Sequence, residues 1–288
     1  MLLDKFLDEV GRCSTVNQFN RLRIGIENFF APAEICALID GVRERDAAVP
    51  EYCTRWLQNS DESLRGGGRP VQPYVRHAYS MGAAIYAAPG TPAERASRTL
   101  VVAYTGDADR LFMPIGVFLQ HLPAATHEVI LLVDPSRRFF LGGVTGLGDD
   151  LPSTIRRIDA IAAPSRFRRA VGFGCSAGGL AAIWTAVELG FPRAVSIGGI
   201  AVESAVQRER TQNIDLSGFD ESVRRRFTLP EVLLVHGEGN EHDAARALQM
   251  ARRVPSTHVS VAGASDHNVL YDVWKAGRLD AFLAEMIG

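Results

Sequence analysis

The stretch Gly174-Cys175-Ser176-Ala177-Gly178 sets a serine between two glycines at the G-x-S-x-G spacing. That spacing suits a serine held on a strained corner where a strand turns into a helix. Glycines two before and two after it let neighbouring backbones approach where a Cβ would collide. The helix that follows points its N-terminal N–H groups at the same spot, where an anion is stabilised. The chemistry implied is nucleophilic attack by the Ser176 hydroxyl. A serine hydroxyl attacks poorly until a base removes its proton.

Of the seven histidines, His267 stands out. It lies in Gly263-Ala264-Ser265-Asp266-His267-Asn268, after the last expected strand and before the final helical stretch. In a doubly wound sheet, loops after strands gather at the carboxyl edge, the edge that carries Ser176. His77, His121, His127 and His258 fall on helices, strands or early loops and read as structural. His236 ends a strand near the same edge and is a candidate for lining the site.

A catalytic histidine needs an acid to fix its tautomer and stabilise its imidazolium. The order serine, acid, histidine places that acid after the strand ending at His236-Gly237, in Glu238-Gly239-Asn240-Glu241-His242-Asp243. Asp243 is the first choice because of its type and because it opens the next helix. It equally suits an N-cap for Ala244-Ala245-Arg246-Ala247. Glu241 and Glu238 are its rivals. The same cluster lacks the ordered spacing of metal ligands, so no metal is expected.

A tetrahedral oxyanion needs two backbone donors. The elbow supplies the Ala177 N–H. The loop after Thr99-Leu100-Val101-Val102-Ala103-Tyr104-Thr105 offers Gly106 or Asp107 as the second. The stretch Asp134 to Phe140 is a candidate for substrate contacts, with Arg137 or Arg138 able to meet an anionic group. Cys175 reads as a small buried residue rather than a second nucleophile.

The elements around these residues follow from periodicity. Leu2, Leu3, Phe6, Leu7 and Val10 have helical spacing, Pro32 starts a second helix, and Pro50 leads into a third. Arg65-Gly66-Gly67-Gly68-Arg69-Pro70 then breaks the chain and is the best boundary. From Tyr74 onward short apolar runs alternate with helical patterns. Strands are expected at 74–88 (one or two), 99–105, 128–133, 170–174, 194–197, 232–236 and 258–261. Helices are expected over 114–122, 151–163 (capped by Asp150), 178–189, 243–253 and the C-terminal stretch, with a partly helical connection up to Leu229. Strands alternating with helices imply an α/β fold: a doubly wound, mostly parallel sheet with helices on both faces. The organisation expected is a helical segment over 1–70 and an α/β domain over 71–288.

The chain has 288 residues, 47% apolar and 22% charged, which fits a globular protein with a sizeable core. Its net charge of −2 gives no reason to expect a nucleic-acid partner. Cys13, Cys36, Cys53 and Cys175 are scattered, which reads as free thiols in a reducing compartment. Asp4, Asp8 and Glu9 interrupt the N-terminal apolar residues, and no apolar run approaches membrane-spanning length. A cytoplasmic location without membrane contact is the expectation.

The region from about Tyr74 to the C-terminus resembles the α/β-hydrolase superfamily, on the elbow at Ser176, the late His267 and the acidic loop between them. The resemblance implies an α/β-hydrolase fold and a serine esterase with no cofactor. Its substrate would be a small molecule or acylated compound, with a small acyl group preferred because no large lid is evident. Two features depart from the common pattern. Asn240 stands where many members have the acid, and Thr105-Gly106-Asp107 stands where many esterases have His-Gly-Gly. The N-terminal helical segment lies outside the resemblance. Covering the sheet edge, shaping the pocket and making homodimer contacts are the roles open to it.

Other readings compete. The same residues would serve an acyltransferase, a thioesterase or an amidase. Gly172, Gly174 and Gly178 superficially suggest a dinucleotide loop, but that fingerprint belongs on the first strand of its βαβ unit. A non-catalytic, hydrolase-like binding scaffold is the third alternative.

Overall fold

A computed structural model describes residues 2–199 and 216–288. Its eight strands are β1 (Val75–Ser80), β2 (Ala83–Ala87), β3 (Thr99–Tyr104), β4 (His127–Leu132), β5 (Arg169–Cys175), β6 (Arg193–Ile197), β7 (Glu231–Gly237) and β8 (Thr257–Val261). They form one sheet in the order β1-β2-β4-β3-β5-β6-β7-β8. β1 and β2 form an antiparallel hairpin, β2 also runs antiparallel to β4, and the remaining pairs are parallel. The parallel strands are covered on both faces, so β3 is buried along its whole length and reads as an unbroken apolar run. The edge strand β8, with Thr257, His258 and Ser260, is largely open to solvent.

Successive residues of β3 serve opposite faces, as a period of two requires. Leu100, Val102 and Tyr104 pack with α7 (Leu151–Ala162) and α8 (Gly179–Leu189). Val101 and Ala103 join the core on the other face, with Phe118 of α6 (Ile115–Gln120), Leu270 of α11 (Val269–Lys275) and Leu283 of α12 (Leu279–Ile287). The remaining helices of this region are α5 (Pro92–Ala96), α9 (Ser217–Arg225) and α10 (Glu241–Ala251). Part of the connection expected to be helical, residues 200–215, lies outside the described residues.

The N-terminal segment forms four helices, α1 (Leu2–Arg12), α2 (Val16–Phe29), α3 (Pro32–Glu44) and α4 (Glu51–Arg65). Phe6, Phe19, Ile39 and Trp56 from these helices lie in the same apolar cluster as Val101 and Phe173 of the sheet. Polar ties reinforce the contact. Arg76 on β1 donates to both carboxylate oxygens of Glu34 on α3, each at 2.9 Å. The Tyr86 hydroxyl on β2 donates to the Phe29 carbonyl at 2.6 Å. Helix α2 is absent from the periodicity reading, yet its start is signalled by a capping box. Thr15 accepts from the Gln18 N–H at 3.3 Å, and the Gln18 side chain accepts from the Thr15 N–H at 3.2 Å. Among the described residues no helix is long and apolar enough to cross a membrane.

A continuous core across α1–α4 and the sheet predicts one cooperative unfolding transition. With Trp184 and Trp274 replaced by Phe, Trp56 fluorescence reports the N-terminal helices alone. Its denaturant midpoint should coincide with that of far-UV circular dichroism. An earlier Trp56 transition would mark the helices as a separately folding unit.

Candidate active site

Strand β5 delivers its last residue, Cys175, into the turn Ser176–Gly178 that opens α8. Ser176 has φ +50°, in the left-handed region, and is only 7% exposed. A side chain in that conformation is strained, and the surroundings hold it there. A Cβ on Gly178 would lie 2.7 Å from the Thr105 carbonyl oxygen, and one on Gly174 would lie 2.6 Å from the Gly178 carbonyl carbon. The turn is therefore pressed against the end of β3 and against its own strand, a closeness only glycine permits.

The loop after β8 brings His267 over this corner. Its Nε2 lies 2.9 Å from Ser176 Oγ. Its Nδ1 lies 2.7 Å from Asp243 Oδ2. The three side chains thus form an unbroken hydrogen-bonded line, with Asp243 2% exposed at its inner end. Phe112 stands edge-on to the His267 ring, with centroids 5.1 Å apart at 80°. Gly198, at the end of β6 with φ +56°, passes behind the pair. A Cβ there would lie 3.0 Å from His267 Cε1 and 3.3 Å from Asp243 Oδ2.

Within the acidic loop, the carboxylates differ in what they face. Helix α10 starts at Glu241, two residues earlier than the pattern suggests, and its N-cap is Asn240. Asn240 Oδ1 accepts from the Asp243 N–H at 3.0 Å, and Asn240 Nδ2 donates to Asp243 Oδ2 at 2.9 Å. Asp243 is released from capping and turns inward to His267. Arg246, one turn on, donates to Asp243 Oδ1 at 3.2 Å. Glu238 instead accepts a long bond from the Gly263 N–H at 3.4 Å, and Glu241 is exposed.

The expected oxyanion donors fare differently. Ala177 follows Ser176 in the first turn, where the helix offers its N–H no acceptor of its own. Gly106 departs from expectation, because its N–H donates to the Arg110 carbonyl at 2.9 Å. The neighbouring Asp107 N–H has no partner among the described residues and is the second donor the loop offers.

The sequence does not signal how the loop beside Ser176 is held. The Arg110 side chain, in the same loop, donates from Nη2 to Glu27 at 2.9 Å and from Nε to Asn28 at 3.0 Å. Both acceptors are buried residues of α2. The other Glu27 oxygen accepts from Trp56 Nε1 at 3.0 Å. The N-terminal helices therefore clamp the loop beside Ser176 through Arg110. The Thr15-x-x-Gln18 capping box was the available signal for α2, but nothing in the sequence signals its pairing with Arg110.

Other candidates lie elsewhere. Asp134 is buried and accepts from the Arg138 and Phe140 N–H groups, each at 2.8 Å, which shapes its loop. That loop reaches the elbow through Phe139, which packs on Ala177. Arg137 and Arg138 are exposed and do not line the cavity over Ser176. His236 lies against its own chain, with Nδ1 3.1 Å from the Gly237 carbonyl, and its ring faces His258 with centroids 6.4 Å apart. Among the described residues no three potential metal ligands converge.

A cavity of about 550 Å³ opens on Ser176 and His267 between the β3 loop and α11. Its wall includes Gly106, Asp107, Arg110, Phe112, Arg246 and Tyr271. Such a cavity is of a size to hold a small molecule.

The strand order, with the serine elbow after β5 and the histidine loop after β8, settles the architecture. The chain has the α/β-hydrolase fold. No protein-family model matches this sequence, and no curated protein matches it. Solved structures similar to this chain include a dienelactone hydrolase from Anabaena variabilis, 14% identical with a TM-score of 0.49, covering 75% of this chain and 100% of that one. Esterase B from Lactobacillus rhamnosis is 12% identical with a TM-score of 0.48, covering 88% and 93%. Est1E from Butyrivibrio proteoclasticus is 11% identical with a TM-score of 0.48, covering 75% and 99%. At these values the likeness carries no argument about chemistry, which rests on this chain's own residues.

Two outcomes test the site's construction. Burial raises the thiols of Cys36 and Cys175 and pushes that of Cys53 up to about 12, so all three stay protonated at pH 8. Iodoacetamide at pH 8 should alkylate the half-buried Cys13 first and leave Cys175 intact until the protein unfolds. Rapid alkylation of folded Cys175 would make it a second nucleophile. Separately, Glu27→Ala strips Arg110 and Trp56 of a buried acceptor. A loss of about 3 kcal/mol is expected, read from the denaturant midpoint. An unchanged midpoint would show that the clamp contributes nothing.

Proposed function

We propose that the protein is a serine hydrolase that cleaves a carboxylic ester through an acyl-Ser176 intermediate. The observation that carries this reading is the line Asp243–His267–Ser176, with contacts of 2.7 and 2.9 Å, on a serine in the left-handed conformation. Asp243 accepts the His267 Nδ1–H and so leaves Nε2 as the base facing the serine. As Ser176 Oγ attacks the ester carbonyl carbon, its proton passes to Nε2. The carbonyl π bond opens onto oxygen, and the oxyanion takes hydrogen bonds from the Ala177 and Asp107 N–H groups.

Collapse of that intermediate breaks the bond to the alcohol oxygen, which receives the proton from Nε2. The acyl group is then joined to Ser176 Oγ. Water enters, gives a proton to Nε2 and attacks the acyl carbon. The second tetrahedral intermediate releases the carboxylic acid and returns the proton to Ser176. Asp243 stabilises the imidazolium at each turn. The half-buried cavity of about 550 Å³ supports a small acyl group.

A fluorophosphonate probe and 4-nitrophenyl butyrate test this reading together. The intact protein should label at Ser176 and release nitrophenol. Ser176→Ala and His267→Ala should abolish labelling. Asp243→Asn should lower kcat by about 10⁴-fold, because the wrong tautomer is then favoured. An intact, folded protein that neither labels nor turns over esters would leave a binding scaffold as the answer. Full activity in Asp243→Asn would return the acid's role to Glu241 or Glu238.

A further inference from the structure

Arg246 is a buried guanidinium that the proposed reaction does not use. It is 9% exposed and lies on the wall of the cavity over Ser176. Its Nη1 donates to Asp243 Oδ1 at 3.2 Å. Its Nε is buried with no partner, and its Nη2 has none among the described residues. A buried guanidinium using one of its five donors is under-satisfied. Arg110 lines the same cavity, and its Nη1 likewise has no partner among the described residues.

The charges sharpen the point. At rest the Arg246 cation faces the Asp243 carboxylate. Once His267 has taken the serine proton, one carboxylate serves two cations. Arg110 is already matched by Glu27. Asp107, in the β3 loop, is the one carboxylate on the cavity wall among the described residues. Among the described residues, the Arg246 side therefore has room for one more negative charge.

From this we infer that the substrate is an ester carrying a second, ionised carboxylate, which binds Arg246 beside the scissile bond. The inference rests on the esterase reading and names its substrate class. The charge balance favours a carboxylate over a phosphate. Unpartnered donors remain on Nε and Nη2 of Arg246 and on Nη1 of Arg110 among the described residues, and a carboxylate accepts well from guanidinium N–H groups. A phosphate dianion would bring two negative charges, whereas Arg110 is already matched by Glu27 and Arg246 has Asp243 beside it. Carboxylate binding also holds the acyl chain in one orientation over Ser176, which favours attack.

Matched esters test the inference. 4-Nitrophenyl hemiglutarate and 4-nitrophenyl valerate share a leaving group and chain length and differ in the terminal carboxylate. The protein should prefer the hemiglutarate by at least tenfold in kcat/KM. Arg246→Gln should lower that preference at least tenfold, mainly through KM, and Arg246→Lys should restore part of it. If Arg246 merely braces Asp243, both esters will lose the same factor and the preference will survive, which overturns the inference. A wild-type preference for valerate overturns it too.

A second measurement does not depend on turnover. Glutarate should bind the Ser176→Ala protein in a calorimetric titration and fail to bind Ser176→Ala/Arg246→Gln. No heat from either protein overturns the carboxylate site. Failure of the esterase reading would appear differently, as loss of Ser176-dependent fluorophosphonate labelling.

Discussion

The structure depends on one constrained residue, Ser176 at φ +50° where β5 ends. A non-glycine residue in that region carries strain of order 1–3 kcal/mol and persists only where its surroundings over-determine it. Here they do. Gly174 and Gly178 let the turn press on its own strand and on the end of β3, and β3 is held to β5 by six register pairs from Thr99–Arg169 to Tyr104–Gly174. The same pairing places the β3 loop beside the serine. The serine conformation, the position of the β3 loop and the helix N-terminus thus share one strand contact.

The N-terminal helices extend that constraint. The β3 loop holds residues Asp109 and Phe112 with positive φ, so it needs outside support. Arg110 provides it by bridging the loop's carbonyl bond from Gly106 to the buried Glu27 and Asn28 of α2. A charge-assisted bond to a buried carboxylate is among the stronger polar contacts a protein makes. The segment outside the family resemblance is therefore part of what shapes the loop at the site, and its aromatic residues belong to the core that backs the sheet.

Much of this was legible from the sequence because the signals were local. The elbow announces itself through glycine spacing, and the parallel strands through apolar runs. Asp150 reads as the cap of α7, and it is, accepting from the Ser153 N–H at 2.6 Å. What was not legible depends on contacts distant in the chain. Helix α2 has an apolar stripe interrupted by Gly25 and Asn28, and its stability comes from Phe19 and Ile26 entering a core built largely by other elements. The commitment of the Gly106 N–H to Arg110 is a turn geometry that composition does not encode. Arg246 carried no sequence signal at all, since a helical arginine is ordinarily solvated.

The acidic loop shows why spacing rules bend. A cap and a triad acid make opposing demands on a carboxylate. The cap must face the helix's own N–H groups, whereas the acid must face the histidine. Under the proposed mechanism the two tasks are divided in this chain. Asn240 takes the capping position, and its amide also braces Asp243 one turn later. Asp243 is then free to point inward, where Asn240, Arg246 and His267 together satisfy its two oxygens. A buried carboxylate is tolerable only with such partners, because desolvation penalises its charge. Neither Glu238 nor the exposed Glu241 has comparable partners, so moving the acid to either would require burying a second set of donors. Under the proposed mechanism the departure from the common spacing is a division of labour between an amide and a carboxylate, in which the amide holds the displaced carboxylate toward His267.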